Sequence, residues 1–273
     1  MNNGIDRREF FRKVGEITGG TAVAAVLVPT LGGGPGPAQI VPKDDPRLET
    51  GYVTYAVEGG DFRAYSAKPR GAGKLPGVIV IHENRGLNPH IEDVARRVAL
   101  EGYEVVAPDA LSLLGGTPAN QDEARGLFGK LEPKATAKHF AAAVQYLKTR
   151  PQATGKVGCM GFCWGGGMTN QVAVNAPDLA AAAPFYGTQP AVDDVPKIKA
   201  AMLCHYAGDD ARINAGIPAF EEALKKAGIV YTIHMYEGAG HAFFNDTGTR
   251  YNKAAADLAW QRTLAFFNAK LKA

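Results

Sequence analysis

Cysteine is scarce. The 273-residue chain has three, and no two form a C-x-x-C pair. That excludes a disulfide-built scaffold and leaves no zinc or dithiol redox motif. Excess charge is equally small: 30 Lys and Arg against 27 Asp and Glu leave +3. A balance this even gives no basic surface for nucleic acid, so no nucleic-acid partner is expected. The six histidines contain no H-x-x-x-H spacing, and no metal or other cofactor is expected. There is no internal repeat. What is present is ordinary for a large globular core: 46% hydrophobic, 21% charged, with 33 glycines. Disordered and fibrous classes are excluded.

The amino terminus reads as an address. Asp6-Arg7-Arg8-Glu9-Phe10-Phe11-Arg12-Lys13 precedes a modest apolar stretch, Ile17–Val28, and then small residues around Gly36-Pro37-Ala38. The stretch is shorter than the roughly 20 apolar residues a membrane span needs. Its layout is that of an export signal, and the paired arginines before Phe-Phe resemble the twin-arginine pattern. Residues 1–38 are therefore expected to engage export machinery and direct the protein to the periplasm or outside the cell. Residues 39–50 read as a linker, and 51–273 as one domain, expected to be monomeric.

Beyond the linker, strand and helix patterns alternate. Tyr52–Val57 and Phe62–Ala67 read as a hairpin about a Gly-Gly turn. Gly77–His82 is continuously apolar, the mark of a strand buried on both faces. Pro89–Leu100 has helical spacing, with Asn88 as its cap and Pro89 in the first turn. Further strands are expected at Tyr103–Pro108, Lys156–Phe162, Ala180–Tyr186, Ala200–Tyr206 and Tyr231–Tyr236. Helices are expected at Asn120–Gly129, Lys134–Thr149, Gly165–Asn175, Ala215–Ala227 and Lys253–Leu271. This alternation predicts an α/β fold with a mostly parallel sheet covered on both faces.

The chemistry-bearing residues fall at strand ends. Gly161-Phe162-Cys163-Trp164-Gly165 follows a strand and opens a helix, the layout of a nucleophile elbow. A helix N-terminus would favour a thiolate at Cys163. A nucleophile of this kind needs a base and a group to orient it. Ala207-Gly208-Asp209-Asp210 follows a later strand, and Asp210 is the better placed acid, with Asp209 facing solvent. His241, in the Gly-rich loop after the last strand, is the expected base. His205 and His234 lie within strands, His139 on a helix and His90 in a first helical turn. Backbone N–H groups of Asn84 and Trp164 are expected to form the oxyanion hole.

These motifs together resemble the dienelactone hydrolase family of α/β-hydrolases, the carboxymethylenebutenolidases. The resemblance rests on Ile81-His82-Glu83-Asn84-Arg85-Gly86-Leu87, Val105-Val106-Ala107-Pro108-Asp109, Gly161-Phe162-Cys163-Trp164-Gly165-Gly166, Tyr206-Ala207-Gly208-Asp209-Asp210 and Gly240-His241-Ala242-Phe243. It implies hydrolysis of a small-molecule lactone or ester by a Cys163, His241 and Asp210 triad through a thioester. It also implies that Glu83 hydrogen-bonds the resting thiol and helps release a thiolate when substrate arrives. The family's substrate-pairing arginines are missing: Leu113 and Asn245 stand in the matching stretches. Arg85 or Arg212 is left to substitute. Trp164, Tyr186, Phe243 and Phe244 are expected to line an aromatic pocket, which favours a neutral ester. A broader carboxylesterase or thioesterase, and a non-catalytic binding protein of the same fold, are the alternatives.

Overall fold

Apolar runs in the middle of the chain form a sheet shielded from water on both sides. A computed structural model describes residues 39–272; the export reading of 1–38 lies outside them. Eight strands are β1 (Leu48–Val57), β2 (Gly60–Pro69), β3 (Leu75–Ile81), β4 (Glu104–Pro108), β5 (Ala153–Phe162), β6 (Ala181–Phe185), β7 (Ala201–Ala207) and β8 (Tyr231–Tyr236). Their order in the sheet is β1-β2-β4-β3-β5-β6-β7-β8. The β1–β2 hairpin and its junction with β4 are antiparallel, and all other pairs are parallel.

The helices are α1 (Pro89–Leu100), α2 (Gln121–Leu127), α3 (Pro133–Lys148), α4 (Trp164–Asn175), α5 (Ala211–Asn214), α6 (Ile217–Lys226) and α7 (Lys253–Leu271). α1 and α7 cover one face of the sheet, with Ile91, Val94, Val98, Ala259 and Phe267 in one apolar cluster. α3, α4 and α6 cover the other, through Phe140, Val144, Leu147, Val172, Phe220 and Leu224. Asn88 caps α1 by accepting from Ile91 N at 3.1 Å, and Asn252 caps α7 by accepting from Ala255 N at 3.1 Å. Each satisfies a backbone donor that the first turn leaves free.

Strand order sets where a ligand fits. After β3 the chain adds β4 on one side and then returns to add β5 on the other. The loops leaving β3 and β5 therefore diverge, and a crevice opens at their carboxyl ends. The Glu83–Leu87 loop and Cys163 both lie there.

One expectation is revised. The segment 39–50, read as a linker, is docked: Val41 N donates to Asp93 Oδ1 at 2.7 Å and Val41 O accepts from Arg96 Nε at 2.8 Å. Its last residues, from Leu48, open β1. The helix read as Ala215–Ala227 is α6, with Pro218 in its first turn, and a separate short helix, α5, capped by Asp210, precedes it.

The anchor of the docked segment is ionic and buried. Arg96 is 0% and Asp93 1% exposed, and Arg97 also bonds Asp93. Breaking a buried ion pair leaves an uncompensated charge, at about 3–5 kcal/mol. Asp93→Ala is therefore expected to cost about 3 kcal/mol in urea unfolding; a loss below about 1 kcal/mol would contradict this anchoring.

Candidate active site

The site is built around a strained cysteine. Cys163 sits between β5 and α4 with φ 56 and ψ −114. Among the described residues only two others apart from glycine have positive φ, Tyr186 at 38 and Ala242 at 70. Ala242 follows His241, and the Tyr186 ring lies 5.1 Å from the His241 ring. Strain of about 1–3 kcal/mol per residue is thus confined to one place. The turn closes because its neighbours lack side chains. A Cβ on Gly161 would lie 2.3 Å from Gly165 O, and a Cβ on Gly165 would lie 2.4 Å from His82 O.

Three strand ends bring the acid, base and thiol together. Asp210 Oδ2 accepts from His241 Nδ1 at 2.5 Å. His241 Nε2 faces Cys163 Sγ at 2.9 Å. With Nδ1 donating to the carboxylate, Nε2 is left to accept from the thiol. Asp210 is buried at the start of α5, while Asp209 faces solvent. The loops after β7 and β8 are tied by Gly208 N to Tyr236 O at 2.8 Å and Asp209 N to Ala239 O at 3.1 Å. Those bonds hold the carboxylate and the imidazole in register.

Burial opposes the thiolate at Cys163 that the helix N-terminus alone would favour. Burial, and next the Glu83 carboxylate, push its pKa up to about 11; the Trp164 N–H and the charges of Arg212 and Arg250 act the other way. Desolvation outweighs the helix N-terminus here. Cys159 and Cys204, fully buried, are pushed further, to about 12.

Glu83, Arg85 and the expected aromatic lining take other partners than expected. Glu83 does not bond the thiol: its Oε2 accepts from Asn245 Nδ2 at 2.7 Å. Asn245 is fixed in turn, since its Oδ1 accepts from Thr247 N at 3.0 Å and Thr247 Oγ1 at 2.6 Å. Tyr186 and Phe243 are 0% exposed and pack against each other with ring centroids 5.2 Å apart. They back the His241 loop rather than line a pocket. Phe244, 4% exposed, stacks on Phe162 at 4.9 Å. Arg85 is drawn to Gln121 Oε1 at 3.2 Å and Asp122 Oδ1 at 3.5 Å, and Arg212 is exposed on α5. Trp164 is half-buried against His82, Phe128 and Phe140. Asn84 lies in the loop after β3, beside Glu83.

Residues that the sequence did not single out hold these loops. Asp246, next to Asn245, accepts from Arg97 Nη2 at 2.6 Å and lies 3.0 Å from His90 Nδ1. The Asp109 carboxylate accepts from Thr117 Oγ1 at 2.7 Å, and that oxygen accepts from Leu87 N at 3.0 Å. Asp109 was legible only as part of a motif. Among the described residues no cluster of three or more His, Cys, Asp or Glu is placed to hold a metal ion.

A parallel sheet with helices on both faces, an elbow after β5, an acid after β7 and a histidine after β8 define an α/β-hydrolase. The family model for the dienelactone hydrolase family matches residues 62–271. The chain belongs to that family. It is 33% identical to a protein named "Putative carboxymethylenebutenolidase" from Saccharolobus solfataricus, over 78% of this chain and 96% of that one. A protein of the same name from Escherichia coli K12 is also 33% identical, over 84% and 90%. A crystal structure titled as a putative dienelactone hydrolase of Klebsiella pneumoniae superposes with a TM-score of 0.71 at 30% identity, covering 81% of this chain and 98% of that one.

Two outcomes at the thiol follow. Iodoacetamide at neutral pH should alkylate Cys163 well before Cys159 or Cys204, as read by peptide mapping. Glu83→Gln removes a like charge and should lower the thiol pKa, moving the alkylation-rate midpoint to lower pH. An unchanged or higher midpoint would contradict the field assigned to Glu83.

Proposed function

We propose that this dienelactone hydrolase-like enzyme cleaves an ester or lactone by covalent catalysis at Cys163, with His241 as base and Asp210 as its orienting acid. The carrying observation is the continuous line from Asp210 Oδ2 to His241 Nδ1 at 2.5 Å and from His241 Nε2 to Cys163 Sγ at 2.9 Å, on a strained elbow. Such a line gives the geometry of an activated nucleophile.

The steps balance as follows. His241 Nε2 takes the thiol proton as Sγ forms a bond to the carbonyl carbon. The oxyanion is held by the N–H groups of Asn84 and Trp164. When the tetrahedral adduct collapses, the C–O bond breaks and His241 returns the proton to the leaving alkoxide, which leaves a thioester. Water then gives a proton to His241 and attacks the thioester. The thiolate departs and recovers its proton. Because the thiol is held protonated at rest, attack and proton transfer are coupled. This limits idle reaction with other electrophiles.

The substrate is read as uncharged. Leu113 lies over the Gly59-Gly60 turn and Asn245 holds Glu83, so neither position supplies a cation. Arg85 is already paired with Asp122. A buried carboxylate without a cation costs several kcal/mol, which favours neutral aryl esters or lactones over an anionic lactone. A thioester substrate would use the same site. A purely binding role would have no use for the strain at Cys163. We also propose that residues 1–38 direct export to the periplasm or beyond. Protein recovered outside the cytoplasm would then lack them, and changing Arg7 and Arg8 to Lys would block export.

Catalysis is tested by replacement. His241→Ala and Asp210→Asn should each lower kcat/KM for an aryl ester by about 10³-fold or more with the fold intact, whereas Asp209→Asn should be mild. If Asp209→Asn proves the damaging change, the acid is misassigned. On one preparation, kcat/KM for a neutral aryl ester should at least equal that for an anionic dienelactone. A strong preference for the anion, lost in Arg85→Ala or Arg212→Ala, would overturn the charge reading.

A further inference from the structure

We propose that His82 is a positioning residue for the oxyanion hole: through its hydrogen bond to the Glu83 carbonyl, it turns the Asn84 N–H toward the nucleophile. The proposal rests on the reading of Cys163 as nucleophile with Asn84 and Trp164 as donors.

The tautomer follows from the partners. His82 ends β3 and is 0% exposed. Its Nε2 lies 3.1 Å from Ala110 N, an amide that can only donate, so Nε2 accepts. The ring proton is then on Nδ1, which lies 2.7 Å from Glu83 O. Burial favours this neutral ring, with the nearby Asp109 charge opposing.

The consequence for Asn84 is covalent. Glu83 C=O and Asn84 N–H belong to one peptide unit, and no described peptide is cis. In a trans unit the two bonds point in opposite directions. The His82 ring lies on the core side, stacked on Trp164 at 5.5 Å and 9° and edge-on to Phe128 and Phe140. A carbonyl drawn toward that ring sends the Asn84 N–H away from it and away from the core, in a loop whose Glu83 charge already acts on the Cys163 thiol.

Other points of the loop have their own ties. Its far end is tied by Leu87 N to Thr117 and Thr117 to Asp109, and the Glu83 side chain is tied to Asn245. Those ties do not act on the 83–84 peptide itself, whose rotation the His82 bond restrains. The same residue bears on the second donor. Its ring stacks on Trp164, and a Cβ on Gly165 would meet its carbonyl at 2.4 Å. One buried imidazole thus braces both halves of the hole.

The test compares His82→Phe, His82→Asn and His82→Gln with the parent enzyme. An Asn side chain keeps an N–H near the Nδ1 position, whereas Gln places it near Nε2 and Phe keeps only the ring. Three readouts are taken: kcat and KM on a neutral aryl ester, affinity for a trifluoromethyl ketone, and the Cys163 alkylation rate by iodoacetamide. The ketone adds Sγ to its carbonyl carbon and leaves an oxyanion for the hole, whereas alkylation forms none. Loss of one oxyanion donor costs about 10²–10³ in kcat. His82→Phe should therefore lower kcat about 10²-fold with KM within threefold, weaken the ketone in parallel and leave alkylation within threefold. His82→Asn should recover about tenfold of the lost kcat, and His82→Gln should recover none. Three results would overturn the proposal: kcat within threefold in His82→Phe, alkylation falling together with ketone affinity, or Gln matching Asn. If His82→Phe fails to fold, the Asn against Gln comparison decides alone. Turnover surviving in Cys163→Ala would instead remove the nucleophile reading itself.

Discussion

The backbone at Cys163 governs the rest of the site. A residue with a side chain does not hold φ 56 and ψ −114 unless its surroundings enforce it. Here the end of β3, the end of β5 and the first turn of α4 meet at contacts that leave no room for a Cβ on Gly161 or Gly165. Cys163 N is further tied to Phe185 O at 3.0 Å, and Cys163 O to Gly167 N at 3.1 Å. The parallel sheet and its flanking helices supply the rigidity that keeps this conformation. Relaxing the elbow would lower the local strain but move Sγ away from His241.

Around this fixed point the loops are held by polar side chains. The loop after β3 is tied at Glu83, Leu87 and Arg85, each to a different element. The His241 loop is anchored below by Phe243 and Phe244 and at its side by Asp246 against Arg97. Asn245 joins the two loops by holding Glu83. Burial first, and then the same carboxylate without bonding to the thiol, push the thiol pKa up. Electrostatic tuning and loop position therefore share one side chain. A shift of Asn245 would change both the thiol and the loop that carries the proposed oxyanion donor at Asn84.

Much of the architecture was legible in local pattern. Gly77–His82 reads as a buried strand because nothing polar interrupts it, and β3 lies there. Asn88 and Pro89 mark a helix start because a side-chain acceptor and a missing N–H both suit a first turn, and α1 begins there. The elbow was legible because a cysteine and its flanking glycines occur at fixed spacing after a strand. The pairing of Glu83 with Asn245, 162 positions apart, leaves no such trace. Nor does the docking of Val41 on Asp93 and Arg96, so a segment punctuated by Pro42 and Pro46 read as a linker. Tyr186 and Phe243 were misplaced for a related reason. Sequence puts an aromatic near a site, but only packing decides whether it faces the cavity or backs the wall.

The central claim is that Cys163 carries the acyl group during turnover. It is tested most directly by quenching the enzyme in acid during hydrolysis of a slowly deacylated aryl ester and measuring intact mass. The account predicts a gain equal to the acyl group, placed on Cys163 rather than Cys159 by fragmentation and removed by neutral hydroxylamine. Product release under the same conditions with no acyl adduct, or an adduct on any other residue, would contradict it.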